Sequence, residues 1–463
     1  MGFFKAYDMR GVFGADFGLD TVYRVGLALP GAVSGGRWLV GRDCRTTGGA
    51  VARALCDGLR DAGAHVDFIG LCTTPMVYAF TAMDGYDASA MVTASHNPPG
   101  DNGIKVSRRD AVPVGYADGL RDVEAAIASS SAVYRAREGE PGEGDAPRPA
   151  FVRRYVSLLH SLAGGPERFS NLRFAVDCSC GMASLVAAGL FPGAVILNGA
   201  MDGSFPAHSP NPLSPEAWRQ AADAVKAGSL DCAVVFDGDA DRAVFVDENG
   251  AFVRPDLLIE AAASECPGFG PGAKVLHDVR TSRGTVELLR EEGCEPVMVS
   301  VGHVFAKKAM RETGAVCGGE LAGHYYFRDF FNCDGGALAA MRILAAAAKA
   351  KKAGMAFSRF AARAGARYAN TGELNFRVED KDAAVRRVLA AAAAAFPRET
   401  ARSTIDGIRV EYDAGWFNIR KSNTEPYLRA VVECDTPERL ALWRETITRA
   451  VEAGGDVKEG KGL

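Results

Sequence analysis

The chain has 463 residues, 48% hydrophobic and 24% charged, so it can bury several cores and is too long for one ordinary domain. Its 53 basic and 57 acidic residues leave a formal charge of -4, which argues against a nucleic-acid-binding surface across the molecule; an anionic ligand would need a locally basic cleft. Eleven cysteines without a C-x-x-C pair point to a reduced, cytoplasmic setting, and the longest bland run, Leu389 to Phe396, is far shorter than a membrane span.

Tyr7-Asp-Met-Arg-Gly11 and GRDCR, with Arg42 and Arg45, place positive charge early in the chain. The segment from Trp38, WLVGRDCRTTGGAVARALCDGLRDAGAHVDFIG, predicts a strand, an Asp-bearing turn, a helix and a second strand. TASHNPPGDNGIK, Thr93 to Lys105, follows as a loop that glycines and prolines keep irregular, with Ser95 beside His96. It lacks the G-x-S-x-G elbow of a hydrolase, so the local pattern leaves the chemistry of Ser95 open.

Ser129 to Ala150, rich in Ser, Gly, Pro and charge, reads as a linker. A second unit of the same design starts at Phe174 and a third at Lys274, with Asp43, Asp177 and Asp278 in comparable places. Three such units predict a triplicated α/β architecture with parallel or mixed sheets and chemistry in loops at strand ends. After the alanine-rich helix around Leu344 to Lys352 the rhythm changes, and the strand from Glu373, helix 382–396, the Asp406-Gly407 turn and helix 437–453 predict an α+β domain. The expected domains are 1–145, 150–247, 248–364 and 368–463.

VVFDGDADRAVFVDE sets Asp237, Asp239 and Asp241 at alternate positions after an apolar strand. Three such close carboxylates repel unless a cation neutralises them, and hard oxygen ligands suit Mg²⁺ or Ca²⁺. With Glu248 they also match places in an EF-hand loop, but Arg242 stands where that loop needs glycine, and strands flank the segment. SVGHVFAKK supplies His303 and Lys307; CGGELAGHYYF supplies Glu320 and His324, types suited to sugar hydroxyls or proton transfer. FNIRKSNTEPYLRAVVE gathers Arg420, Lys421, Ser422, Asn423, Thr424 and Arg429 around a turn, either a charged surface hairpin or, as the concentration of donors favours, a phosphate site.

A metal triad, a basic phosphate loop and an exposed serine together favour phosphoryl transfer. Ser95 would carry phosphate, with a nearby base, Lys105 or His96, managing its proton and Arg42, Arg45 and Lys105 offsetting an anionic substrate.

TASHNP, DGDADR and RKSNTEPYLR, in this order, resemble the α-D-phosphohexomutases, and within them the bacterial phosphomannomutase/phosphoglucomutase branch. The resemblance covers nearly the whole chain and implies four domains around a central cleft. It implies an enzyme that isomerises hexose 1-phosphate and 6-phosphate through a phosphoserine and a 1,6-bisphosphate. It makes Ser95 the phosphoserine and a Mg²⁺ ligand with Asp237, Asp239 and Asp241, and Lys105 and His324 the acid/base candidates. Tyr7, Arg10 and Arg242 would line the catalytic cleft, Glu320 would bind sugar hydroxyls, and Arg280 and His303 would be further substrate contacts. Arg420, Ser422, Asn423, Thr424 and Arg429 would grip the non-reacting phosphate. GELAGH departs from the usual GEMSGH by carrying Ala322 for a serine, and Arg280 stands where lysine is common. Mannose and glucose phosphates are the expected substrates, with glucosamine phosphate or a silent sugar-phosphate binder as the alternatives, no nucleic-acid or membrane partner, and a monomer or homodimer.

Overall fold

The strand Arg37–Arg42, the helix Gly48–Asp61 and the strand His65–Leu71 form the first of the three expected units, and the two strands pair in parallel. The computed structural model describes residues 2–136, 146–422 and 427–454 and the strand Lys458–Gly460. Arg37–Arg42 also pairs in parallel with Ala88–Val92, which turns back into the antiparallel strand Asp101–Arg108; Met9–Val12 closes that edge.

The second and third sheets repeat this plan. Phe174–Asp177 lies between the parallel strands Val195–Leu197 and Cys232–Phe236, and the latter turns back into Ala243–Asp247. Lys274–Asp278 lies between Glu295–Val299 and Cys317–Gly319, and the latter turns back into Tyr325–Phe327. In each unit the aspartate at the end of the central strand accepts the backbone N–H two residues on: Arg45 to Asp43 at 3.0 Å, Ser179 to Asp177 at 2.8 Å and Arg280 to Asp278 at 2.6 Å. The shared aspartate is thus an Asx turn that ends the strand and directs the next loop.

The second unit departs from the expected helix, having only a 3₁₀ turn, Met182–Leu185, and one α-turn, Ala187–Leu190. Here Met182 N–H donates to Gly238 O at 2.9 Å, so the segment docks on the backbone of the loop that carries Asp237, Asp239 and Asp241, and Gly189 and Pro192 discourage further winding. The alanine-rich helix is longer than expected, Gly336–Lys352, because its upstream residues are buried as well.

One hydrophobic core runs from Leu39 through the second and third units to Ala361, while the fourth domain has its own core from Leu374 to Val451. The fourth sheet is antiparallel, in the order 399–403, 408–412, 415–421, 427–434, 369–377, 458–460. Helices Lys381–Ala395 and Pro437–Glu452 pack on it, as the α+β reading expects. No described helix is long and apolar enough to cross a membrane.

Candidate active site

The same hairpin loop of each repeated unit carries candidate site residues. Between Ala88–Val92 and Asp101–Arg108 it holds Ser95; between Cys232–Phe236 and Ala243–Asp247 it holds Asp237, Asp239 and Asp241; between Cys317–Gly319 and Tyr325–Phe327 it holds Glu320 and His324. Triplication therefore brings three different loops to one place.

Ser95 is buried and sits at φ 52°, a left-handed conformation that needs outside support. Arg45 supplies it: its guanidinium donates to Ser95 O at 2.8 Å, Asn97 O at 2.6 Å, Pro98 O at 2.6 Å and Asp101 O at 2.9 Å. Asp43 steadies Arg45 at 3.3 Å and accepts the Thr93 hydroxyl at 2.6 Å, while Thr93 Oγ1 accepts the Ser95 N–H at 2.8 Å. Arg45 is thus the frame of the serine loop rather than an open charge for substrate, because burial directs its donors to carbonyls. Arg42 is buried too, donating to Asp43 O at 3.0 Å.

The Ser95 hydroxyl donates to Asp237 Oδ2 at 2.9 Å and lies 3.3 Å from His96 Nδ1. Gly238 allows this approach, since a Cβ there would lie 2.8 Å from Ser95 O. Burial, then repulsion from Arg242 and Arg10, holds the His96 imidazole well below its usual range, so it is neutral. Lys105, expected to take the hydroxyl proton, instead donates to Asp239 Oδ2 at 2.8 Å and Asp241 Oδ2 at 2.6 Å. Burial would lower the ammonium, but those carboxylates outweigh it and keep Lys105 charged.

The carboxylates divide their roles. Burial, then the charges of Asp241 and Asp239, pushes Asp237 well above the usual carboxylate range. Burial also opposes charge on Asp239, yet Lys105 and the Thr74 hydroxyl, 2.6 Å away, bring it below that range. All three residues offer oxygens within 4.8 Å of one another, and Asp239 Oδ1 and Asp241 Oδ1 are buried without a hydrogen-bond partner. Such a cluster fits a hard cation.

Across the join of the second and third units, Ala243 N–H donates to Gly323 O at 3.0 Å, and Arg242 Nε donates to His324 Nε2 at 2.9 Å. A guanidinium can only donate, so Nε2 carries a lone pair and the ring proton sits on Nδ1, 2.8 Å from Asp334 Oδ2. Lys307 Nζ balances Asp334 at 2.7 Å and lies 3.6 Å from the Tyr78 ring centre. Glu320 accepts the Gly302 N–H at 2.8 Å; burial is the largest influence raising its carboxyl. Gly302, at φ 125°, leaves room for Tyr7, whose hydroxyl donates to Val301 O at 3.0 Å. His303 begins the next helix with both ring nitrogens buried and without a hydrogen bond, and burial, then Lys307, keeps it neutral. Arg10 donates to Asn97 Oδ1 at 3.0 Å and pairs with Asp8.

Arg280, Arg420 and Arg429 meet on one carboxylate, that of Glu373. Ser422 N–H donates to Tyr427 O at 2.9 Å; Lys421 pairs at the surface with Asp382. Asn423 and Thr424 lie outside the described residues. Thr74, Asp334 and Glu373 went unread in the sequence. Only Thr74 had a local signal, the Thr73-Thr74-Pro75 start of a helix, where Thr73 Oγ1 accepts the Met76 N–H at 3.1 Å.

Family models for phosphoglucomutase/phosphomannomutase match the chain in four parts: α/β/α domain I over residues 1–133, domain II over 153–250, domain III over 257–364 and the C-terminal domain over 373–450. A phosphomannomutase of Escherichia coli is 35% identical over 93% of this chain and 94% of its own length. A phosphomannomutase/phosphoglucomutase of Pseudomonas aeruginosa is 32% identical, over 94% of this chain and 92% of its own. A crystal structure of a phosphoglucomutase/phosphomannomutase family protein from Burkholderia thailandensis superposes with a TM-score of 0.82 at 30% identity, covering 99% of this chain and 98% of the other.

Proposed function

Because the chain belongs to the phosphoglucomutase/phosphomannomutase family and is a hexose-phosphate mutase, we propose that it interconverts the 1- and 6-phosphates of mannose or glucose through a phosphoserine at Ser95 and a hexose 1,6-bisphosphate. The observation that carries this reading is the Ser95 hydroxyl 2.9 Å from Asp237, beside two further carboxylates and an ammonium.

In the forward half, the P–O bond to Ser95 Oγ breaks as one forms to a sugar hydroxyl, whose proton passes to a base. In the return half, the phosphate at the other end of the sugar is transferred to Ser95 Oγ. Asp237, Asp239, Asp241 and Ser95 would hold Mg²⁺, which supplies charge stabilisation for the transferring phosphoryl group. Lys105, kept charged by its neighbours, would steady developing charge on the serine side and return a proton as an acid. His324, with its Nε2 lone pair fixed toward Arg242, is our candidate for proton movement on the sugar side. Arg10 and Arg242 would bind the reacting phosphate, and Tyr7, Glu320 and His303 the sugar. Arg280, Arg420, Ser422, Asn423, Thr424 and Arg429 would hold the far end. A tightly bound far phosphate lets the bisphosphate turn over without losing the sugar. Eleven free cysteines support a cytoplasmic enzyme.

The test is a coupled assay with mannose 1-phosphate, glucose 1-phosphate and glucosamine 1-phosphate. Turnover led by the first two is expected; dominance of the third would overturn the assignment of substrate.

A further inference from the structure

Arg420 and Arg429 stand directly opposite each other on paired strands, an arrangement in which like charges repel. Both are drawn to one buried side chain: Glu373 Oε2 accepts Arg420 at 2.9 Å and Oε1 accepts Arg429 at 2.9 Å. Glu373 is 3% exposed and lies in Ala369–Arg377, the first strand of the fourth domain. Its Oε2 also accepts Arg280 Nη1 from the third domain at 3.0 Å.

Arg280 in turn donates through Nη2 to Asp278 Oδ2 at 2.6 Å, and that oxygen accepts the Leu321 N–H at 3.0 Å. Leu321 adjoins Glu320 in the loop proposed to bind the sugar. An unbroken chain of charge-assisted hydrogen bonds thus runs from that loop, through Asp278, Arg280 and Glu373, to the two arginines of the phosphate loop. The two domains have separate apolar cores, so polar links of this kind have an outsized share in setting their alignment. Arg420 Nε is buried with no hydrogen-bond partner, a donor held ready beside the carboxylate.

We infer that Glu373 is a positioning residue for the phosphate site, the shared counter-ion that aims Arg280, Arg420 and Arg429 and aligns the phosphate loop with the sugar loop; this rests on the reading that Arg420 and Arg429 hold the far phosphate. Without the carboxylate, the opposed guanidiniums splay and the cluster gains an unbalanced positive charge. A hexose phosphate, tethered at its sugar end, then meets misaligned donors. A small free anion has no tether and can settle between them.

The experiment measures steady-state kinetics of the full chain with a hexose 1-phosphate, and inhibition by inorganic phosphate, for wild type, Glu373→Gln and Arg420→Gln. Glu373→Gln is expected to raise KM about tenfold, to leave kcat within about threefold, and to make inorganic phosphate inhibit at lower concentration. An unchanged KM, a fall in kcat alone, or phosphate inhibition that weakens in step with KM would overturn the inference. If Arg420→Gln raises KM and Glu373→Gln does not, the phosphate-loop reading stands and the role of Glu373 fails. If neither moves KM, the loop reading itself fails. Should Glu373→Gln not fold by thermal unfolding, Glu373→Asp keeps the charge but sets it back by one carbon; it is expected to raise KM about threefold with kcat held, and no change in KM would overturn the inference.

Discussion

Arg45 and Ser95 are tied by a hydrogen bond of 2.8 Å from the guanidinium to the serine carbonyl, one of four by which a single buried side chain holds the whole serine loop in shape. The left-handed backbone of Ser95 persists because that grip over-determines it.

Arg45→Ala is therefore expected to lower the unfolding free energy by about 3 kcal/mol or more, because four carbonyls lose a charged donor and Asp43 is left buried beside none. Urea unfolding checks this. A midpoint matching wild type would contradict the role given to Arg45.

His324 is held between the Arg242 N–H, which donates to Nε2, and the Asp334 carboxylate, 2.8 Å from Nδ1. In Asp334→Asn the amide can donate to Nδ1, which moves the ring proton to Nε2, where it meets the Arg242 N–H head-on. We expect kcat to fall about a hundredfold with KM changed little, as for an interaction used in the chemical step. Wild-type kcat in a folded Asp334→Asn would show that the tautomer is immaterial.

Removal of divalent metal with a chelator should abolish turnover, and added Mg²⁺ should restore it. Asp239→Asn removes one charge from the cluster and is expected to raise the Mg²⁺ concentration needed for half-maximal activity about tenfold. Activity indifferent to the chelator would rule out the metal assignment.

The position of Glu373 gives a pH signature. Burial opposes its charge, but Arg420, Arg280 and Arg429 outweigh burial and hold the carboxyl below the usual range when folded. A carboxyl depressed on folding adds stability that is present above its unfolded value, about 4.3, and is lost as pH falls toward the folded value. The gap in thermal stability between wild type and Glu373→Gln should therefore hold from pH 7 to about 5 and narrow as pH falls below about 4.3. A gap that stays constant as pH falls well below about 4.3 would mean that Glu373 is not held as an anion.

Much of this was legible because the chemistry sits on short contiguous loops. The three aspartates of DGDADR needed only their spacing, and the units beginning at Trp38 and Lys274 needed only the strand, turn and helix rhythm, whereas the helix expected after Phe174 is replaced by two short turns. Residues that act through a distant partner were not legible in this way. Glu373 reads locally as one more charge in a strand, and its meaning depends on Arg280 and Arg420, 93 and 47 positions away. Asp334 likewise reads as one more charge until the fold, which puts it in the short strand Cys333–Asp334, sets His324 against it. Arg45 looked like free positive charge because burial does not show in a short motif. Lys105 looked like a base because its two carboxylate partners come from another domain.

The central claim is that Ser95 carries the transferred phosphate. Intact-mass measurement of the purified chain after incubation with a hexose 1,6-bisphosphate tests it most directly. A species heavier by about 80 Da, the mass of one phosphoryl group, is expected in wild type and absent in Ser95→Ala. Turnover by wild type with no such species, or the same species in Ser95→Ala, would contradict it.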